Sequence, residues 1–335
     1  MKNIKWKNSL PIIAALIIAF IFPLLGFKAY YLHIAIISII YVLLATGLNV
    51  AVGYVGQLSL AQAAFYGIGA YTSALLSVNF KVPFYFTLPI STLVAAFFGF
   101  LLGAPTLRLK GPYFVVASVS FNEVVRLTFL NWKSLTNGPN GITEIPVPAA
   151  IKLGVLNIDF TQKIHFYYLY LIIAILVVLL TKNILQSRTG RAFKSIREDS
   201  IASEVMGINQ AFYKIFAFSY SSALAGMAGS MFAHYVGFVS PESFMSSESI
   251  NILIMTVMGG MGTITGPIIG AIGINFLLET MRFLQEYRLI IYGIVLFLVI
   301  LFMPSGLMGL IGFVREKYTD KIAKIKMKGG DSSAS

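Results

Sequence analysis

The chain has 335 residues, of which 57% are apolar and only 11% are charged, whereas a soluble domain carries about 25% charged residues. A water-soluble globule cannot place that much apolar surface inside, so the composition excludes a soluble enzyme and also a disordered or collagen-like chain. The absence of cysteine excludes disulfide scaffolds and thiolate metal sites, and the net charge of +12 must be explained by where the basic residues lie.

Apolar stretches long enough to cross the hydrocarbon core of a bilayer follow one another along the chain. The first, residues 9–26, lies behind three lysines, and we interpret it as a retained span because no small-residue cleavage site follows it. The next stretches, in chain order, are residues 30–52, 60–78, 84–104, 112–130, 166–181 and 215–238, and the last is 289–303.

Residues 250–278 form an apolar region that is too long for one span and short for two. Its middle contains Gly259, Gly260, Gly262 and the pair Gly266-Pro267, and a glycine cluster followed by proline ends or kinks a helix. We predict two short helices around a turn, with a re-entrant segment as the alternative. The fold class that follows is an all-α polytopic membrane protein of about ten transmembrane helices, or about eight in the alternative.

The positions of the basic residues test this number of spans. With an even number of spans and both termini in the cytoplasm, most of the 25 lysines and arginines lie in cytoplasmic segments. We therefore predict a transmembrane domain over residues 1–314 and a basic, disordered cytoplasmic tail over residues 315–335. The charge of +12 then reports membrane topology and not nucleic-acid binding.

Two glycine turns on the predicted cytoplasmic side are similar to each other. One contains Gly53 and Gly56 within GYVGQLS (53–59), and the other contains Gly259, Gly260 and Gly262 within GGMGTIT (259–265). A weak parallel internal repeat would explain the similarity. The general likeness of glycine turns between apolar helices explains it equally well, so both interpretations stay open.

Only two loops are long. The outer loop, residues 131–165, carries turn residues in NGPNG (137–141) and is predicted to be either a cap for docking or a plain connector. The inner loop, residues 182–214, carries charges of both signs, and Asp199 and Gly207 are typical of the start and end of a short helix. Ile201, Val205 and Ile208 share one face of that helix, which favours packing on a cytoplasmic partner over lying on the membrane surface.

Charge at membrane depth is costly and is usually functional. Glu123 lies about 16 Å along a helix that starts at Pro112, and Arg126 follows at i+3, so the two side chains can pair. Pairing and contact with cargo are both open interpretations. Asn49, Gln62 and Asn122 are further polar positions within the spans, and each alone more often makes an interhelical hydrogen bond.

Several catalytic patterns are absent from the sequence. No glycine is followed by lysine, so there is no P-loop, and neither HExxH nor GxSxG occurs. With three histidines and no cysteine, neither a metal site nor a bound cofactor is expected. We predict a protein that is not an enzyme, and any ATP that drives it must bind to another chain.

Several motifs resemble the permeases of branched-chain amino acid ABC importers, and the M-type subunit in particular. They are, in order, TGLNVAVGYVGQLSLAQAAFYGIGAY (46–71), LRLKGPYF (107–114), EVVRL (123–127), NGPNGI (137–142), GRA, IRE and GIN within residues 190–209, GGMGTITGPIIG (259–270) and PSGL (304–307). The chain has Ala61-Gln62 where the family often has Gly-His.

The resemblance implies a bacterial inner-membrane permease with the vitamin-B12-importer-like fold. Its partners would be an H-type permease, two cytoplasmic ATPases and an extracytoplasmic binding protein, and it would import leucine-type amino acids by alternating access. The expected ATPase-coupling residues are Arg191, Arg197, Glu198, Asp199, Glu204 and Gly207. The expected residues of the translocation pathway are Asn49, Gln62, Asn122, Glu123 and Arg126.

Relatives that share these motifs leave another cargo open, namely urea, short amides or another amino acid. A stand-alone secondary transporter is the alternative from a different class. It would need ion-coupling carboxylates along a pathway, and Glu123 is the one carboxylate predicted to lie deep.

Overall fold

The computed structural model describes residues 19–25, 29–106, 111–153, 156–158, 160, 162–280 and 293. The helices in these ranges are α1 (Ala29–Asn49), α2 (Gln62–Asn79), α3 (Phe84–Thr106), α4 (Pro112–Asn131), α5 (Lys133–Thr136), α6 (Lys163–Gln186), α7 (Arg188–Glu198), α8 (Ser200–Val205), α9 (Gln210–Val236), α10 (Ser246–Gly260) and α11 (Gly266–Thr280). A hairpin of two strands, β1 (Ile151–Leu153) and β2 (Leu156–Ile158), lies in the outer loop and was not predicted.

Five helices in the described part of the chain are long and apolar enough to cross a membrane, and they match five of the predicted spans; α2, which covers most of the predicted span 60–78, is not among them. The five are Ala29–Tyr54, Phe84–Pro105, Pro112–Asn131, Lys163–Gln186 and Gln210–Val236. Most of the first predicted span, nearly all of the last one, and the tail over residues 315–335 lie outside the described residues.

Small residues allow α9 to pack directly on α2 and α3 in the centre of the fold. A Cβ atom on Gly229 would lie 2.6 Å from the amide nitrogen of Ala70, and one on Gly226 would overlap Ala95. Backbones can approach this closely only where side chains are absent. Around this contact lies one buried apolar cluster that includes Phe65, Tyr170 and Met231.

The apolar region 250–278 forms two short helices around a turn, as predicted. α10 and α11 have 15 residues each, about 22 Å, which is less than the hydrocarbon thickness. Their backbones touch where they cross, because a Cβ atom on Gly270 would lie 2.8 Å from the Cα of Gly259. The glycines that interrupt the sequence therefore form both the turn and the crossing.

The outer loop is fastened to the end of α9. Ile142 pairs with Val239 as an isolated bridge, and the Nδ1 atom of the buried His234 lies 2.6 Å from the carbonyl oxygen of Pro146. Asn137 adopts a left-handed conformation with φ 61°, as its turn motif favours. The loop is thus an ordered structure over residues 137–146.

Candidate functional site

The two glycine turns lie against each other, and one side chain joins them. Asn49, at the end of α1, is buried; its Nδ2 donates to the carbonyl of Thr263 at 2.7 Å, and its Oδ1 accepts from the amide of Gly262 at 2.9 Å. A Cβ atom on Gly53 would lie 2.6 Å from the nitrogen of Gly262, so no side chain fits between the turns. The residue predicted for the pathway, Asn49, therefore binds the second turn.

Arg197, from α7, reaches the same place. Its Nη1 donates to the carbonyl oxygen of Gly53, and a Cβ atom on Gly262 would lie 2.7 Å from that nitrogen. The guanidinium thus sits between the two turns, while the stem of Arg197 packs on Gly56, whose φ is +78°. We call Asn49, Gly53, Arg197, Gly262 and Thr263 the turn junction.

α7 lies on the first turn through an amphipathic pattern. Phe193 and Ile196 are buried in a cluster with Val50, Tyr54 and Val55, which follow α1 in the π-helical segment Val50–Tyr54 and at the first glycine turn. On the other face Arg191 and Glu198 are exposed. Arg197 belongs to the junction, whereas Arg191 and Glu198 lie on the open face of α7.

α8 starts and ends as predicted. The Asp199 carboxylate accepts from the amides of Ile201 at 2.8 Å and Ala202 at 3.0 Å, which caps the helix, and Gly207 follows its end with φ +80°. These two predicted coupling residues therefore shape the segment.

The apolar face predicted to pack on a cytoplasmic partner is exposed at Ile201 and Val205, whereas its third residue, Ile208, is half-buried against the cluster around Phe193. Ile201 is 76% exposed and Val205 is 83% exposed, and the neighbouring Met206 is 81% exposed, whereas Ser203 is buried. Only one face of the six-residue helix α8 packs against the protein, and it is the face that carries Ser203. The Ser203 hydroxyl donates to the Ser200 carbonyl at 2.8 Å. We call Ile201, Val205 and Met206 the apolar knob.

A cavity of about 460 Å³ opens beside the apolar knob. Its polar lining includes Glu204, Gln210 and Lys214, which form a chain of contacts: Gln210 Nε2 donates to Glu204 Oε2 at 3.2 Å, and Lys214 Nζ donates to Gln210 Oε1 at 3.1 Å. Glu204 is therefore placed at the mouth of a groove next to an apolar surface. Together the two features form an open surface with both apolar and charged parts.

Two of the predicted pathway residues hold helices together. Gln62 is buried, with Nε2 donating to the Leu44 carbonyl at 3.2 Å and Oε1 accepting from the Ser221 hydroxyl at 3.2 Å. Asn122 is buried, and its Nδ2 donates to the hydroxyl of Ser246 at 3.2 Å. Its Oδ1 is buried without a hydrogen-bond partner.

Glu123 and Arg126 form an ion pair on the side of α4. Arg126 Nε donates to both carboxylate oxygens of Glu123, at 3.0 and 3.1 Å. Both side chains are only partly buried, beside a helix face on which Tyr113, Val116 and Val124 are exposed. The pair lies apart from the turn junction.

Residues 55–61, which belong largely to the predicted first turn, lie in a place that the sequence did not predict. Gln62 contacts Leu44, which lies about 15 Å before Tyr54 along the helix Ala29–Tyr54, so α2 begins beside the middle of that helix and residues 55–61 run back along it without forming a helix. Gly56 and Leu58 are exposed there. Within a membrane, non-helical backbone must face protein or water, because lipid offers no hydrogen bonds.

The chain is similar in sequence to known transport permeases. The family model described as branched-chain amino acid transport system / permease component matches residues 30–301. The chain is 38% identical over 320 residues to the high-affinity branched-chain amino acid transport system permease protein LivM of Escherichia coli (strain K12), with 90% of this chain and 75% of that protein covered.

More distant relatives carry the same kind of description. The identity is 25% over 294 residues to the high-affinity branched-chain amino acid transport system permease protein LivH of Salmonella typhimurium, with 80% of this chain and 91% of that protein covered. It is 22% over 258 residues to a probable branched-chain amino acid transport permease protein LivM of Methanocaldococcus jannaschii, with 71% and 73% covered. No solved structure matches the chain.

Proposed function

The chain belongs to the branched-chain amino acid transport permease family as an M-type permease, and from that premise we propose that it imports leucine-type amino acids by ATP-driven alternating access. In this proposal a second, H-type permease completes the pathway and two cytoplasmic ATPases supply the energy. An extracytoplasmic binding protein delivers the cargo at the bacterial inner membrane. The likeness to both LivM and LivH supports a second permease subunit, since the named relatives fall into these two kinds.

The wider architecture is part of the same proposal. About ten spans, both termini in the cytoplasm and the vitamin-B12-importer-like fold would place α7 and α8 on the cytoplasmic side. The helical structure and the five apolar helices of the described residues are compatible with it. The chain is proposed as a transport subunit, with ATP hydrolysed by its partners.

The apolar knob is the single observation that carries the coupling proposal. Three large apolar side chains, Ile201, Val205 and Met206, are almost fully exposed on a segment that is capped and held in shape by its own residues. An exposed apolar surface of this kind marks a contact with another protein or with the membrane surface, and the charges of both signs on this segment favour the protein. We propose that the ATPase covers it, and that Glu204 and the adjoining groove lie at the edge of that contact.

The pathway is proposed to run beside residues 55–61 and α4. Exposed non-helical backbone at Gly56 and the half-buried pair Glu123–Arg126 both require a polar or protein neighbour instead of lipid. Asn122, with its unpartnered Oδ1 atom, lies next to this pair on α4. Alternating access would expose this side of the chain to either face of the membrane in turn.

Reconstitution tests the function. The chain, its H-type permease and the ATPases are placed in proteoliposomes with binding protein, and uptake of labelled leucine is measured with and without ATP. ATP-dependent uptake that unlabelled isoleucine and valine suppress is the expected result. Suppression by urea or short amides instead would show that these compounds are the cargo. Uptake by the chain without ATPases would show that ATP does not drive the transport.

A pair of valine variants tests the docking surface. Val205→Asp places a charge in the apolar knob, whereas Val147→Asp places one on an exposed valine of the outer loop. We expect Val205→Asp to remove the ATPases from the purified complex and Val147→Asp to retain them. Equal retention in both variants contradicts the proposed contact.

A further inference from the structure

We propose that Arg197 transmits the movement of α7 and α8 to both glycine turns, so that the two turns move together with the ATPase-docking segment. This inference rests on the proposed function, since it concerns how force from the ATPases enters the helices. It assigns Arg197 a role inside the chain as a positioning residue. The apolar knob, and not Arg197, then makes the contact with the ATPase.

The first step is the attachment of α7 to the first turn. Phe193 and Ile196 are buried against Val50 and Val55, and Lys194 Nζ lies 5.9 Å from the centre of the Tyr54 ring. A buried apolar contact of this kind moves as one piece, because separating it would open a cavity. The end of α1 therefore follows α7.

The second step is the attachment of the second turn. Ile264 packs at the edge of the same cluster, but the turn's backbone is held by polar contacts from Asn49 and by the Arg197 guanidinium. Arg197 is the residue that touches both turns from α7, through its bond to Gly53 and its packing on Gly262. The guanidinium therefore links α7 to the helices on both sides of the second turn, α10 and α11.

The third step is what the turns control. The first turn continues into residues 55–61, whose exposed backbone we assigned to the pathway, and the second joins two short helices that cross at Gly259 and Gly270. α10 carries Ser249, which accepts from the amide of Ala63 at 2.8 Å, at the start of α2. A shift of the junction would thus reach the start of α2 by two routes.

A transport-to-hydrolysis ratio tests the proposal on the complete complex in proteoliposomes. For Arg197→Ala we expect the complex to assemble and to hydrolyse ATP, while uptake per ATP falls about tenfold, within the usual range of site-to-site coupling. Arg188→Ala removes an exposed arginine from the first turn of the same helix and should leave the ratio unchanged. Arg197→Lys keeps one donor and should recover part of the ratio.

Thiol labelling gives a second readout. The chain has no cysteine, so Leu58→Cys, on the exposed segment 55–61, introduces the one thiol of this chain, whose label is followed on the separated subunit. ATP should change its labelling rate in the parent complex and leave the rate unchanged when Arg197→Ala is added. If Arg197→Ala does not assemble, uptake per ATP and the labelling rate are measured instead on Arg197→Met, which keeps the aliphatic stem that packs on Gly56.

The outcomes separate the two proposals. Normal uptake per ATP and a normal ATP response of the thiol in Arg197→Ala or Arg197→Met overturn the role of Arg197, while the parent complex still transports. Absence of ATP-driven uptake in the parent complex overturns the proposed function itself, and the inference with it. Loss of ATPase binding in Arg197→Met would assign Arg197 to the docking contact and also overturn the inference.

Discussion

Two glycines on one helix are expected to respond in opposite directions to the same substitution. A Cβ atom on Gly270 would overlap the Met255 carbonyl and lie 2.8 Å from the Cα of Gly259, whereas a Cβ atom on Gly273 meets nothing within 4 Å. Both residues lie inside α11. Their local helix geometry is the same, so the difference isolates the α10–α11 crossing.

The magnitudes follow from the two environments. Gly273→Ala gains helix propensity and should raise the free energy of unfolding by about 1 kcal/mol. At Gly270 the same gain is opposed by a steric clash. The added Cβ atom and the Cα of Gly259 would lie about 1 Å closer than ordinary contact distance, and overpacking of this kind costs about 1–3 kcal/mol. Because the clashing atoms are backbone and cannot rotate away, we expect the upper end of that cost, about 3 kcal/mol, and hence a net loss of about 2 kcal/mol for Gly270→Ala.

Thermal unfolding of the purified complex in detergent measures the contrast. For a chain of 335 residues, a difference of about 3 kcal/mol between the two variants corresponds to apparent Tm values about 4 °C apart. Gly273→Ala should also keep leucine uptake. Equal Tm values for the two variants would refute the close crossing of α10 and α11.

Arg126→Leu leaves the Glu123 carboxylate unpaired at membrane depth and should lower the stability of the folded protein by about 2–3 kcal/mol. The measurements are the amount of protein inserted in the membrane and the Tm, both of which should fall. The double variant Glu123→Gln with Arg126→Leu should be closer to the parent, and a double variant as unstable as the single one would exclude pairing as the reason. Asp199→Ala removes the cap of α8 at a cost of about 1 kcal/mol and should weaken ATPase binding about fivefold. Asp199→Asn should bind normally in the same pull-down titration, and an equal loss would show that the charge matters instead of the cap.

Local chemistry made several elements predictable. The turn at Gly259–Gly262 and the two helices beside it follow from glycine and proline in an apolar region, and the cap at Asp199 follows from its short polar side chain. These features depend on neighbours in the chain, so periodicity and residue type were sufficient. The family motifs were equally readable, because each is a contiguous run of residues.

The α8 face was predicted only in part. Ile201, Val205 and Ile208 have helical spacing, but the helix ends at Val205, so Ile208 leaves the exposed face and packs against the cluster around Phe193. Residues 53–59 were predicted as a turn, but their position beside the preceding helix was not, since local residue types do not report which helix a loop runs along. The hydrogen bond from Gln62 to Leu44 shows that α2 begins beside the middle of the helix Ala29–Tyr54.

The sequence by itself determined that the protein lies in a membrane, that it is helical, which family it resembles and where its turns are, because composition and local pattern are enough for these. Only the tertiary structure brought Asn49 and Arg197 together with Gly53 and Gly262, residues more than 200 positions apart in the chain at their widest. No local pattern encodes such a contact, since it exists only when α1, α7 and the α10–α11 turn pack at one place. The same packing decided that the polar residues Gln62 and Asn122 would bind helices.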